Sequence, residues 1–410
     1  MNVQTIRRQL LFDIEKLKAP EGYLYAGFPN FFTLFGRDSL ISAWQMLSRA
    51  PGIAEATLRI LARYQAREED PYKDAKPGKI LHEYRFDPAK QRELDWGWPY
   101  HGSVDATPLF LVVLWEYVKQ TNDTALLQDL WPAACRAVEW IIGNTNKNPH
   151  GFLTYERTNP HGLFHQGWKD SMEDHLKITP PVAIVEAQGY AYRACRAFDQ
   201  IAMRVLTLRG LGANDIGLIN RALACARTIK KNFSPHFWMP DEQFFAIGLH
   251  GDGTRRTSIA SNAGHLLLAQ DLLTENEAHA IVRRLFRPDM WTIGGIRTLS
   301  EQDPDFDPFS YHLGSIWAHD NGMTYMGLKK WGFTREAQKI KNALLRTYRT
   351  LGCIPELHAV VKKDGEQQIL PISHIAQLER HNDLEGLHLH SVQANPLQAW
   401  AMGALLNMLG

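Results

Sequence analysis

The chain has 410 residues, 45% of them hydrophobic, and a formal net charge of +1, so it can bury a sizeable core. Charges of both signs are mixed along it, which argues against nucleic acid or a membrane surface as the main partner. No apolar run is long enough for a transmembrane helix or a secretory signal, and the four cysteines are widely spaced. That spacing fits neither a disulfide framework nor a metal site, so we predict a reduced, cytoplasmic compartment.

Helical periodicity recurs from end to end. In chain order, the twelve predicted helices cover residues 2–18, 39–50, 53–67, 105–121, 124–143, 181–208, 213–232, 257–270, 276–287, 314–330, 334–350 and 396–409. Asp38 or Ser39 is expected to cap the second of them. The alternating residues Phe244 to Leu249 predict a short β-hairpin. No βαβ alternation appears, so the predicted fold class is all-α.

Long loops rich in Gly, Pro, Trp and carboxylates separate pairs of these helices. They cover residues 22–36, 70–104, 145–180, 288–313 and 351–395. Helical hairpins with functional loops on one side are typical of a toroid of paired helices. No linker-like tract divides the chain, so we predict a single catalytic domain over residues 1–410.

Two of the polar clusters lie at predicted helix starts. Arg37 and Asp38 offer forked donors and acceptors that suit vicinal hydroxyls, and an N-cap aspartate beside a surface arginine is the structural alternative. Asp105 also precedes a helix, where capping is the simpler interpretation.

The loop at residues 160–171 carries Trp168, Lys169 and Asp170 in succession. A tryptophan beside a charged pair suits a cleft that stacks a sugar ring and hydrogen-bonds its edges, although a capping Asp-Ser pair beside a surface-filling tryptophan explains it as well. Glu186 and Gln188 follow on the next helix.

Two further clusters lie near the C-terminal end. His312, Trp317 and His319 belong to an aromatic segment that is hard to explain as surface, and the histidine spacing does not favour a metal site. Glu356, between a proline and a leucine, is predicted to be partly buried, where a paired structural carboxylate is the commoner role. No serine-hydrolase, Walker, dinucleotide or HExxH motif occurs, so neither metal nor cofactor is predicted. Carboxylates in aromatic loops remain, and glycoside hydrolysis needs two of them.

The chain resembles the amylo-α-1,6-glucosidase family, which comprises the glucosidase domain of glycogen-debranching enzymes and its bacterial relatives. The matching motifs fall in family order at residues 35–40, 102–110, 167–171, 186–190, 295–300, 310–321, 354–357 and 398–401.

This resemblance implies an (α/α)6 toroid and exo-acting release of glucose from α-glucosides with inversion, α-1,6-linked oligosaccharides among them. It implies that Asp170 is the general acid and Glu356 the general base, and that Arg37, Asp38 and Trp168 hold the terminal glucose. The other candidate substrate-binding residues are Trp98, Asp105, Lys169, Glu186, Gln188, His312, Trp317 and Trp400. The expected partner is a small oligosaccharide or glucoside.

Three alternatives stay open. One is a related toroid glycosidase that acts on a small glycosyl conjugate or another α-hexoside. Another is a carbohydrate-binding toroid without catalysis, against which the presence of both expected carboxylates counts. The third, a toroid epimerase, requires paired histidines such as His312 and His319 as acid and base.

Overall fold

A computed structural model describes residues 1–210, 212–372 and 394–410 of the chain. Its α-helices are α1 (Val3–Glu15), α2 (Gly36–Met46), α3 (Pro51–Arg63), α4 (Pro88–Gln91), α5 (Ala106–Thr121), α6 (Thr124–Thr145), α7 (Val185–Arg209), α8 (Ala213–Phe237), α9 (Glu275–Leu285), α10 (Ala318–Trp331), α11 (Thr334–Leu351) and α12 (Ala399–Leu409). Segments of 3-10 helix cover Pro71–Lys73, Ser261–Leu268 and Gln270–Leu272.

Short strands connect these helices. They are β1 (Gly27–Phe28), β2 (Leu34–Phe35), β3 (Glu83–Tyr84), β4 (Ala183–Ile184), β5 (Trp238–Met239), β6 (Phe244–Phe245), β7 (Gly248–Leu249), β8 (Arg255–Arg256), β9 (Trp291–Thr292), β10 (Gly295–Ile296), β11 (Ile316–Trp317), β12 (Leu357–Lys363), β13 (Glu366–Pro371) and β14 (Leu397–Gln398). All pair antiparallel, in sheets of two or three strands such as β11-β12-β13.

The helices form two concentric layers. In the inner layer α2, α5, α7, the 3-10 segment Ser261–Leu268, α10 and α12 each contact the next, and α12 closes the ring on α2. Helices α1, α3, α6, α8, α9 and α11 pack outside, each against an inner neighbour. The fold is therefore an (α/α)6 toroid, and the predicted fold class is confirmed.

Side-chain patterns explain the two layers. Every residue of α2 is buried, because this helix is surrounded by other helices on all sides. The outer helix α11 buries one stripe that includes Ile340, Leu344 and Tyr348 and turns its charged residues to solvent. Burial on all sides thus places α2 in the inner layer, and a single buried stripe places α11 in the outer one.

Short strands end where inner helices begin. Strands β2, β4, β11 and β14 lead without a break into α2, α7, α10 and α12. Because each strand pairs with a neighbouring loop, the amino-terminal ends of the inner helices are gathered at one end of the toroid. The polar clusters of the sequence lie at this end.

Several predicted elements need correction. Helix α2 begins at Gly36, so Asp38 lies in its first turn, and Phe35 occupies the cap position without a side-chain bond. The helix predicted over 257–270 is a run of 3-10 turns at Ser261–Leu268. The small β-hairpin predicted at Phe244 to Leu249 is confirmed, because β7 pairs antiparallel with β8 across residues 250–254, while β6 pairs with β5.

The last long loop, predicted over 351–395, contains the hairpin of β12 and β13. Its residues 373–393 lie outside the described part of the chain. No helix within the described ranges is both long and apolar enough to span a bilayer.

Close packing within the inner ring generates a test. A Cβ added at Gly322 in α10 would lie 2.6 Å from the Ala404 Cβ of α12, which is closer than such atoms approach. We expect Gly322→Ala to lower the free energy of unfolding by about 1–3 kcal/mol through overpacking. Gly143 in α6 has no atom within 4 Å of an added Cβ. Gly143→Ala should therefore be neutral or stabilising by about 0.4–1 kcal/mol in the same thermal or denaturant melts. Equal effects of the two substitutions would contradict this account of the ring.

Candidate active site

A cleft of about 500 Å³ opens where the amino-terminal ends of the inner helices meet. Its lining combines charged and polar side chains with aromatic rings. Its lining comprises Asn30, Phe31, Phe35, Arg37, Asp38, His82, Glu83, Arg85, Leu94, Trp96, Leu163, Trp168, Asp170, Ser171, Met172, Tyr311, His312, Trp317, Glu356 and Trp400.

The buried Arg37 guanidinium joins three separate segments of the chain. Its Nη1 donates to the Gly167 carbonyl at 2.9 Å and lies 3.4 Å from Asp105 Oδ2. Its Nη2 donates to Asp170, and its Nε lies 3.7 Å from Asp38 Oδ2. Burial works against this cation, but Asp105, Asp170 and Asp38 together raise the pKa of Arg37 above its ordinary value. Arg37 thus fixes the loop that carries Asp170 against the start of α2.

Asp38 stands in the same cluster, in the first turn of α2. Burial raises its pKa to about 8, and the nearby charges of Asp170 and Glu356 act in the same direction, while Arg37 opposes them. Its Oδ2 has no hydrogen-bond partner among the described residues. A buried carboxyl with an unsatisfied oxygen at a cleft wall is suited to bind a hydroxyl group.

Asp170 is the more open of the carboxyls near Arg37, with 22% of its side chain exposed. Burial raises its pKa, and the attraction of Arg37 does not cancel that effect. A carboxyl that faces a cleft and has a raised pKa is suited to donate a proton to a bound molecule.

Glu356 also lines the cleft, directly before β12, and is almost fully buried. Its Oε1 accepts from the Tyr311 hydroxyl at 2.6 Å and from Gln398 Nε2 at 3.4 Å. Its Oε2 accepts from the backbone N and the Nδ2 of Asn395 at 3.0 and 2.8 Å. Burial raises the pKa of Glu356 to about 7, and these donors oppose the rise. The carboxylate is therefore fixed in direction and titrates near neutral pH, as a general base requires.

Aromatic rings line the cleft beside these carboxyls. Trp317 stacks on His312 with ring centroids 5.3 Å apart, and Trp400 stacks on His319 at 3.7 Å. Trp168 meets Trp317 edge to face at 5.8 Å. Burial holds the pKa of both His312 and His319 well below the ordinary histidine value, so both rings are neutral. Aromatic rings beside buried carboxyls suit a sugar ring, which has apolar faces and a polar edge.

Five predicted substrate-binding residues lie behind the cleft wall. Asp105 supports Arg37, and Lys169 donates to the Thr298 carbonyl at 2.6 Å. Glu186 lies beside Gly167, beneath the loop that carries Asp170. These side chains position the wall without lining it.

Gln188 and Trp98 need stronger correction. The Gln188 amide accepts from Leu153 N at 2.9 Å and donates to the carbonyls of Leu153 and Ile184, so it holds backbone rather than a ligand. Trp98 packs behind Trp96, which itself lines the cleft.

Sequence reasoning missed several residues that the structure places at the cleft. Tyr311 and Asn395 hold Glu356, and Glu83 with Arg85 forms one edge. Glu83 reaches the site because it pairs with Phe35, next to the start of α2. The signal for Tyr311 was its position directly before His312, and long-range strand pairing left no such signal for Glu83.

No group of three or more His, Cys, Asp or Glu side chains within the described ranges is placed to hold a metal ion. The arrangement at the cleft offers two carboxyls, an arginine and stacked aromatic rings.

Comparisons with known proteins bear on this site. Residues 190–358, less than half of the chain, match the family described as Mannosylglycerate hydrolase MGH1-like glycoside hydrolase domain. The comparison with curated protein sequences gave no match.

Solved structures share the fold. The GH63 mannosylglycerate hydrolase of Thermus thermophilus in complex with Tris superposes with a TM-score of 0.63 at 13% identity, over 98% of this chain and 99% of that chain. The complex of that hydrolase with glucose superposes with a TM-score of 0.62 at 14% identity, with the same coverage of both chains. A rhamnosidase from Klebsiella oxytoca with rhamnose bound gives 0.59 at 14% identity, over 98% of this chain and 63% of that chain.

Together these similarities support a glycoside hydrolase with a toroid fold. They do not single out the amylo-α-1,6-glucosidase family that the motifs resemble, and they do not support glycogen debranching.

The raised pKa of Asp38 has a measurable effect on stability. The folded carboxyl titrates at about 8, whereas an unfolded aspartate titrates at about 3.9. The folded state thus binds this proton more tightly than the unfolded state does. The resulting stabilisation is complete below about pH 4 and is lost as the pH rises towards 8. The melting temperature should therefore fall more between pH 5 and pH 8 for the wild-type protein than for Asp38→Asn. The control is Asp241→Asn, at an exposed aspartate between β5 and β6. Parallel curves for wild type and Asp38→Asn would contradict the assignment.

Proposed function

We propose that the protein is an exo-acting, inverting glycoside hydrolase that removes a terminal hexose from short α-hexosides, with α-glucosides as the first candidates. One observation carries the proposal: Asp170 and Glu356 line the same aromatic cleft, each held by its own set of partners.

In the proposed reaction Asp170 donates its proton to the glycosidic oxygen while the bond from that oxygen to the anomeric carbon breaks. Glu356 removes a proton from a water molecule, which attacks the anomeric carbon from the opposite face. The products are the free hexose and the protonated leaving group. Arg37 orients Asp170, and Tyr311 with Asn395 orients Glu356.

The terminal sugar is proposed to lie between the tryptophan wall and Asp38. Trp168 and Trp317 supply the stacking faces, and the unsatisfied Asp38 oxygen supplies a hydrogen-bond partner for a ring hydroxyl. An inverting mechanism requires the two carboxyl groups to lie about 6.5–9.5 Å apart, so that the attacking water fits between them.

A second candidate substrate is a small mannosyl conjugate. The match of residues 190–358 to a mannosylglycerate hydrolase-like domain favours it. A panel of α-linked glucose disaccharides together with mannosylglycerate decides between the two, with the released sugar identified by NMR.

The acid and base assignments predict large losses of turnover. Asp170→Asn and Glu356→Gln should each lower kcat by roughly 10²–10⁴-fold with the fold intact, the usual contribution of general acid–base catalysis. Asp241→Asn serves as the matched control. Early proton NMR spectra should show the β anomer of the sugar before mutarotation. Release of the α anomer, or activity of either variant within a few fold of wild type, would sink the assignments.

The pH dependence gives an independent test of Glu356. As a base it must be ionised, so kcat/KM should fall as the pH drops through about 7. Tyr311→Phe removes a hydrogen bond that lowers the pKa of Glu356, so this pKa should rise and the acidic limb should move to higher pH. An unmoved acidic limb would mean that another group limits the rate there.

A further inference from the structure

A second cavity, of about 480 Å³, adjoins the cleft. Asn30, Glu83 and Arg85 line both spaces, so these side chains form the boundary between them. The remaining lining of the second cavity is Tyr25, Pro29, Phe32, Thr33, Phe86, Asp87, Lys90 and Glu93.

Hydrogen bonds and ion pairs hold the side chains of this boundary in place. Arg85 Nε lies 2.5 Å from Glu83 Oε1, and its Nη1 donates to Glu93 Oε2 at 3.0 Å and to the Lys90 carbonyl at 2.9 Å. The same guanidinium lies over the Trp98 ring, 5.5 Å from its centre. These contacts fix the segment around α4 against β3, which gives the second cavity a preformed wall.

Aromatic rings at the second cavity are partly exposed. Phe32 and Phe86 expose 47% and 42% of their surface. Each is held by a neighbouring ring, since Tyr25 lies 4.6 Å from Phe32 and Tyr84 lies 4.7 Å from Phe86. Phe28, 49% exposed, lies 5.8 Å from Phe32 and extends the patch. Clustered, supported and solvent-facing rings of this kind mark a binding surface.

The shared lining sets the direction of the substrate. Glu83 and Arg85 line the cleft together with Asp170, and the same two side chains line the second cavity. An acid that protonates the glycosidic oxygen must stand on the side of the leaving group. In the proposed function the cleft holds the terminal hexose, so the second cavity is the adjoining space for the group attached to it.

We propose that this second cavity is a leaving-group subsite that binds a second sugar ring, with Phe32 and Phe86 as stacking faces. The inference rests on the proposed function and deepens it. Lys90, Glu93 and Asp87 offer charged donors and acceptors beside the rings, which suits the hydroxyl-rich edge of a sugar. The cleft binds the terminal hexose, and the second cavity discriminates among the groups attached to it.

The test measures affinity against substrate length. In the Asp170→Asn background, calorimetry compares methyl α-glucoside with maltose and maltotriose, and methyl α-mannoside with α-linked mannobiose and mannotriose. We expect the disaccharide and trisaccharide of the accepted series to bind roughly tenfold or more tightly than the methyl glycoside. Adding Phe32→Ala and Phe86→Ala should remove most of that gain. Phe12→Ala, at a 63% exposed ring on α1, is the matched control and should retain it.

A kinetic version uses the wild-type background, which removes any dependence on how Asp170→Asn folds. The ratio of kcat/KM for the longer substrate to that for the methyl glycoside should fall several fold in the phenylalanine variants and stay constant in Phe12→Ala. Equal affinities for short and long sugars, or a gain that survives loss of both rings, overturns the subsite while leaving hydrolysis intact. Length-dependent binding without hydrolysis by the wild-type protein overturns the proposed function instead. No binding of any sugar overturns both.

Discussion

The contact network of the site depends on one buried cation. Arg37 contacts Asp170 and the Gly167 carbonyl on one loop, Asp105 at the start of α5, and Asp38 beside it in α2. One positive charge cannot neutralise all of these carboxyls, so burial keeps the pKa of Asp38 and Asp170 raised. The same guanidinium therefore holds the loop in place without cancelling the rise in the pKa of Asp38 and Asp170. Removing Arg37 would leave buried carboxyls without their shared partner, which is costly in a site shielded from water.

The toroid explains why such a network forms at one end. Each inner helix presents its amino terminus there, and acidic residues occupy the first turns of α2, α7 and α10 as Asp38, Glu186 and Asp320. The positive end of a helix dipole favours a carboxylate, so it offsets part of the cost of burying one. Short strands such as β2 and β11 then direct the chain from outer loops into these helices. The site is thus linked to the fold through the amino-terminal ends of the inner helices, which carry these acidic residues.

Prediction from sequence succeeded where the signal was local. Helical spacing identified nearly all of the long helices, and clusters such as Arg37-Asp38 and Trp168-Lys169-Asp170 led directly to the cleft. It failed where the partner is distant in the chain. The bonds from Tyr311 and Asn395 to Glu356 and the pairing of Glu83 with Phe35 join segments that no spacing rule connects. Gln188 shows the opposite error, since a polar residue in a motif proved to hold the backbone at Leu153.

In the proposed function, the cleft carries out the reaction and the adjoining cavity selects the leaving group. The carboxyls and tryptophans of the cleft come from the starts of inner helices or from loops bound to those helices. Packing of the inner helices therefore constrains their positions. The second cavity is made by residues 25–33 and 83–93, which lie in the connections between the long helices. Such loops tolerate change, because little of the core depends on their side chains. In the proposed function, changes in these loops alter the released group while the cleft stays the same. A shared fold at 13% identity shows the architecture and identifies neither the reaction nor the leaving group.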